Sequence, residues 1–160
     1  MDTYRAIEAL CDISRDLVAT HGSEEYNEIS ATYPSKAERD LRPAAFAIPR
    51  NRDDVVAVLD TLKHFGDKVP LAIAGAGLLP VLGSANVEGG ITIHMCHFKG
   101  IQINSDNSIV RISPGETWES LCEVLEPRGL SVSGSRGDVS TKGTACMMFI
   151  YRMIELTSLG

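Results

Sequence analysis

The chain has 160 residues, the length of one ordinary domain, with 44% hydrophobic and 22% charged residues. That balance excludes a disordered acidic tail and a collagen-like chain, and it suffices for a domain that folds alone. Fifteen basic against twenty-one acidic residues give a net charge of −6, with no Lys/Arg cluster to grip nucleic acid and no apolar run long enough to cross a membrane.

Residues 3–20 predict an amphipathic helix: Ile7, Leu10, Ile13, Leu17 and Val18 recur at steps of three and four, and His21-Gly22-Ser23 stops it. Residues 22–42 are polar and mixed, and read as a long connection with a helical turn near Glu24 to Ile29. Ala44 to Pro49 is a short apolar strand. Asn51 is placed to cap the next helix, where Asp53 and Asp54 favour the positive dipole end and Val55, Val56, Val58, Leu59 and Leu62 supply apolar positions. Val69 to Ile73 is too short for a helix and predicts a buried strand, so strand, helix and strand suggest a parallel βαβ unit. A strand over Gly90 to Met95 follows, then a hairpin of Ile101–Asn104 and Ser108–Ile112 across Ser105-Asp106-Asn107. Thr117 caps a helix holding Trp118, Leu121, Cys122 and Leu125, and Pro127-Arg128-Gly129 ends it. Leu130 to Val132 is a strand that opens into a small-residue loop from Ser133 to Gly143, and the apolar tail from Ala145 to Leu159 is compatible with a helix.

The chemistry-bearing stretch is Ala74-Gly75-Ala76-Gly77-Leu78-Leu79-Pro80. Glycines after a strand let backbone N–H groups approach a diphosphate. A P-loop is excluded because no Gly-Lys-Ser/Thr follows. A Rossmann turn fits Gly75 and Gly77, but Pro80 stands where the third glycine belongs. Two readings stay open on residues alone: a glycine loop that feeds a further strand, and a tight turn with no ligand.

The ordered set around it resembles a family. Pro70 to Gly77, Gly83-Ser84-Ala85-Asn86, Gly89 to Ile93, Lys99-Gly100-Ile101, Val110-x-Ile112-x-Pro114-Gly115-x-Thr117-Trp118, Leu125-Glu126-Pro127-x-Gly129-Leu130 and Ser133-Gly134-Ser135-Arg136 follow one order over residues 41–143. This order resembles the FAD-binding domain of the p-cresol methylhydroxylase and vanillyl-alcohol oxidase superfamily, nearest to berberine-bridge-type FAD-linked oxidoreductases of fungal secondary metabolism. The resemblance implies an α+β fold of the FAD-binding PCMH type, with two subdomains and FAD held between them. The first α/β subdomain would be complete and the second incomplete, with an N-terminal helix and connection over residues 1–40 and the FAD-binding part over 41–160. It implies cofactor contacts at Gly75, Ala76, Gly77, Leu78 and Leu79, with Ser84, Asn86, Gly134, Ser135 and Val139 as further candidates.

The departures from the family pattern are specific. Ala74 stands for the family's arginine, and Leu78 for the histidine that links covalently to the flavin, so FAD held here is non-covalent. His94 stands where aspartate is common, and the loop from Arg136 to Gly143 is one residue short. Resemblance fades after about residue 143, and the family's substrate domain and its acid–base groups have no counterpart here. No catalytic residue is therefore assigned. No metal is assigned either: His94-x-Cys96-His97 on a strand would put two ligands on one face, too few for a site. Hydride transfer from an organic substrate to flavin is the expected chemistry. The alternatives are an inactive remnant or flavin-free binding module, and a gene model cut short. The start, Met1-Asp2-Thr3-Tyr4-Arg5, lacks a secretory pattern, and Cys11, Cys96, Cys122 and Cys146 have neither zinc-ribbon nor CxxC spacing. A cytoplasmic location follows as an expectation. The expected partners are a small-molecule substrate and a second copy or partner chain over exposed sheet edges, not nucleic acid or membrane.

Overall fold

The structure is a computed structural model that describes residues 1–75, 77 and 81–132, and the backbone of 149–155. It divides into two units, Met1–His97 and Phe98–Gly160.

In the first unit, helix α1 (Asp2–Ile13) ends earlier than the apolar spacing suggests. Ser14 is extended (φ −162°, ψ 129°), a 3₁₀ turn follows at Arg15–Leu17, and Val18–Thr20 forms strand β1, pairing antiparallel with Ala45–Ala47 of β2. The β-branched Val18, which extends the helical stripe in sequence, is instead the first strand residue. The expected connection is more ordered than its composition suggests. It holds helices α2 (Glu24–Thr32) and α3 (Lys36–Asp40), and buries Tyr26, Ile29, Tyr33 and Glu38. Ser23 caps α2 by accepting the Tyr26 N–H at 3.2 Å. Residues 1–40 are thus built into the unit, and Ala6, Ile7 and Leu10 share one core with Ala45, Ala47, Val58 and Ile91.

Helix α4 (Arg52–Leu62) starts as its sequence predicts, with Asn51 Oδ1 accepting the Asp54 N–H at 2.9 Å. The sheet order is β1-β2-β4-β3, with β3 at Leu71–Ala74 and β4 at Ile91–His94, and both β2 and β3 run parallel to β4. The βαβ unit is real, but β4 lies between its two strands. β3 is therefore an edge strand and not a buried one: Leu71 is 44% and Ile73 60% exposed. One sheet face packs on α1 and α4, and the other carries Tyr26, Ile29, Tyr33, Phe46, Ile48, Ala74 and Ala85.

The second unit is built on an antiparallel sheet. The hairpin of β5 (Ile101–Ile103) and β6 (Ile109–Ile112) turns through Asn107 at φ 55°, a conformation that asparagine tolerates. Helix α5 (Trp118–Leu125) opens with a capping box: Thr117 Oγ1 accepts the Ser120 N–H at 3.0 Å, and Ser120 Oγ accepts the Thr117 N–H at 3.1 Å. Gly129 at φ 66° ends the following 3₁₀ turn and leads into β7 (Leu130–Val132). Within the apolar tail, the described backbone is a strand and not a helix. Phe149–Glu155 is strand β8, paired antiparallel with β6 and β7. Its aromatic and β-branched residues suit a strand paired with two others. The core joins Val110, Ile112, Leu121, Leu125 and Leu130, with Trp118 packed against it.

Candidate cofactor-binding site

Ala74 of β3 lies opposite His94 of β4, so these two parallel strands end together. In parallel sheets the crevice outside the carboxyl ends is where ligands bind. The chain leaves β3 there through Gly75 and Gly77, both buried. Gly77 has φ 63°, and a Cβ on it would stand 2.5 Å from both Cδ1 and Cε1 of Tyr33. Only glycine meets both demands. Tyr33 is 1% exposed, its hydroxyl donates to the Ala85 carbonyl at 2.9 Å, and burial first, then the Glu38 carboxylate, raises its pKa. The ring is a fixed platform under the glycine turn.

The chain that returns from the turn is fastened by Glu38. This carboxyl group is fully buried, and its Oε1 accepts the Ser84 N–H at 3.0 Å and the Ser84 hydroxyl at 3.4 Å. Asn86, 1% exposed, donates to the Glu38 and Leu41 carbonyls at 3.0 and 3.3 Å, while its Oδ1 accepts from the Val87 N–H and the Thr92 hydroxyl. Both amide hydrogens and the oxygen of Asn86 are committed inside the protein, so this candidate contact braces the return instead of facing a ligand. Neither Tyr33 nor Glu38 is marked as a site residue by the sequence. Ser35-x-x-Glu38 has the spacing of a capping box, which marks a helix start. The helix forms, but Glu38 turns inward to Ser84.

His94 is 2% exposed, and neither ring nitrogen has a hydrogen-bond partner. Its ring packs edgewise against Tyr33 and Phe46, with centroids 5.8 and 6.0 Å apart. Burial, with a smaller contribution from His97, lowers its pKa from 6.5 to about 4. The strand stops at His94, and Met95–His97 is a 3₁₀ turn, so the strand alternation expected for His94, Cys96 and His97 does not apply. His97 Nε2 lies 3.4 Å from Glu25 Oε1. Among the described residues no three His, Cys, Asp or Glu side chains gather as metal ligands.

Of the sequence-derived candidates, Gly75 and Gly77 follow the carboxyl end of β3, while Ser84 and Asn86 are held by Glu38 on the returning chain. Ala76, Leu78, Leu79, Gly134, Ser135 and Val139 lie outside the described residues.

Residues 43–151 match the family described as FAD binding domain. The chain belongs to this family of FAD binding domains. Among curated relatives, an FAD-dependent monooxygenase of Cercospora beticola is 29% identical over 115 residues, covering 69% of this chain and 22% of the relative. An FAD-dependent monooxygenase of Aspergillus calidoustus is 28% identical over 123 residues, covering 76% of this chain and 23% of the relative. The FAD binding domain described here thus spans about a fifth of the length of those relatives. Two solved structures share its fold. Phl p 4, a glucose dehydrogenase, has a TM-score of 0.66 at 11% identity over 82% of this chain and 28% of its own. The 6-hydroxy-D-nicotine oxidase of Arthrobacter nicotinovorans has a TM-score of 0.59 at 20% identity, covering 73% of this chain and 25% of its own.

Proposed function

We propose that this chain is the FAD-holding portion of an oxidoreductase that moves a hydride from an organic substrate to flavin in fungal secondary metabolism. The observation that carries it is the Gly75–Gly77 turn at the carboxyl ends of β3 and β4, inside a segment that matches an FAD binding family. The residues present fit the cofactor through backbone: the turn has the left-handed glycine a close approach requires, and it is seated on Tyr33. FAD, when bound, supplies the hydride-accepting chemistry. The chain's own part is to offer N–H groups to the diphosphate, hold the turn with Tyr33, and hold the return with Glu38 and Asn86. Leu78 leaves that hold non-covalent. The contacts we assign are Gly75, Ala76, Gly77, Leu78 and Leu79, with Ser84 at the rim and Gly134, Ser135 and Val139 from the second loop. Among the described residues, Cys11 and Cys122 are free thiols, which suits a reducing cytoplasm. No helix among the described residues is long and apolar enough to cross a membrane.

The test is titration of the purified chain with FAD, followed by flavin fluorescence and visible absorption. Saturable quenching with one FAD per chain is expected, and no binding at about millimolar FAD overturns the assignment. Ala74 and Leu78 favour a second reading, in which the fold persists as a flavin-free module. That negative titration, together with an intact folded chain, is the outcome it requires.

A further inference from the structure

The first sheet ends at β3, which among the described residues pairs on one side only. Proteins usually guard such an edge with charge, a bulge or a covering element. β3 reads Leu71-Ala72-Ile73-Ala74 and holds no charge. Its ladder fixes which groups face outward. The Pro70 carbonyl accepts the Ile91 N–H at 2.9 Å, and a parallel ladder engages alternate residues of the strand. Ala72 and Ala74 therefore bond toward β4, and the N–H and C=O groups of Leu71 and Ile73 point away from the sheet. No described residue bonds to them.

The side chains form a strip on one face. Leu71 and Ile73 lie opposite Ile91 and Ile93, so they share the face that α4 covers with Val58 and Leu62. Leu59 and Val56 of α4 are 46% and 49% exposed beside that buried stripe. In a right-handed crossover from β2 through α4 to β3, this flank of the helix is the one turned toward β3. Four half-exposed aliphatic side chains thus border an open strand edge, and an apolar patch of that kind marks an interaction site.

We propose that β3 is the contact surface for a second copy of this chain, whose own β3 pairs with it antiparallel about a two-fold axis at Ala72. The free groups of β3 are self-complementary in this register. Leu71 stands opposite Ile73 of the partner subunit and exchanges both backbone bonds with it, and the symmetry repeats the exchange, so every outward N–H and C=O of the two residues is used. Pro70 falls opposite Ala74 of the partner subunit in a pair that exchanges no hydrogen bond, so its missing N–H removes none. The large side chains of both copies meet on the α4 side, while the small Ala72 pair lies at the axis, where the strands come closest. A strip of a few hundred Å² falls short of the roughly 800 Å² per partner of a standard interface, so the dimer is weak and reversible. The pairing goes beyond the FAD reading and does not depend on it.

Sedimentation equilibrium of the full chain without flavin, from about 5 to about 500 µM, tests it. A monomer–dimer equilibrium with a Kd of about 10–100 µM is expected. Ile73→Lys sets a charge in the strip of each copy and should weaken association by at least about tenfold with unchanged urea unfolding. Thr20→Lys, exposed on the opposite edge β1, should leave it as it is. The inference is overturned by a wild-type chain that stays monomeric throughout, which would leave the edge to a different chain, by assemblies that grow beyond the dimer, or by a dimer that survives Ile73→Lys. A second variant tests the register without adding charge. Ala72→Cys, oxidised where the dimer is populated, should join residue 72 to residue 72 across the axis, read by mass spectrometry of the linked peptides, and absence of that link overturns the pairing. Because no flavin is present, failure here is distinct from failure of the FAD titration.

Discussion

Gly77 lies on the ring of Tyr33 so closely that a methyl group at position 77 would stand 2.5 Å from two ring carbons. The contact joins a backbone position in the candidate diphosphate turn to a side chain from a segment forty-odd residues earlier. Gly77→Ala adds that methyl at φ 63°, so strain and collision act together. We expect a loss of about 2–4 kcal/mol in stability and a drop of more than about tenfold in FAD affinity, read by urea unfolding and by flavin titration. Adding Tyr33→Ala removes the collision but not the strain, and should return only part of the affinity.

Gly90 meets a harder obstacle. A Cβ there would lie 2.2 Å from the Pro70 carbonyl oxygen, the same oxygen that accepts the Ile91 N–H at 2.9 Å. Backbone cannot swing aside as a side chain can. Gly90→Ala is expected to cost about 3 kcal/mol or more, because β3 and β4 must separate where they begin. Circular dichroism against urea checks it, and unchanged stability would refute the spacing.

Asn86 ties four groups together: the Glu38 and Leu41 carbonyls, the Val87 N–H and the Thr92 hydroxyl. Asn86→Ala strands them in a dry setting, for an expected loss of about 3 kcal/mol. Asn86→Asp keeps the acceptor and replaces a donor with a charge facing carbonyls, and should be no better.

His94 makes the fold sensitive to acid. The imidazole titrates at 6.5 when exposed and at about 4 when folded, so between these values the unfolded chain binds the extra proton. Stability therefore declines as pH falls from 6.5 toward about 4 and levels off below, by about 3 kcal/mol in all. His94→Leu should flatten this part of the profile. The comparison of the two profiles in urea isolates it from the exposed carboxylates of Asp40, Asp60 and Asp106, whose lowered pKa values also favour the fold above acid pH.

With leucine at position 78, FAD bound to the chain should leave it on denaturation. Acid precipitation followed by fluorescence of the supernatant is expected to recover all the flavin, and flavin remaining in the pellet would contradict non-covalent binding.

Local signals were legible where one residue decides a structure. Asn51 and Thr117 cap their helices, Gly129 stops one, and Asn107 turns a hairpin, because each effect is settled within a few residues. The family was legible too, from the order of many short matches. What stayed hidden depends on neighbours distant in sequence. Val18 joins a strand only because Ala47 is there to pair with it. Val69 to Ile73 has the composition of a central strand, yet β4 takes the central place. In the site, the glycines announced the turn, but Tyr33 and Glu38 sit in a polar stretch whose inward-facing residues have no periodic mark.

In the second sheet the last strand in sequence, β8, pairs with two earlier ones, β6 and β7. During synthesis, β6 and β7 leave the ribosome before the strand that joins them. All four strands of the first sheet lie before residue 95 and can close while translation continues. The nascent chain therefore carries a finished amino-terminal half beside a waiting one, and chaperones that shield exposed strand edges would be needed chiefly in that interval.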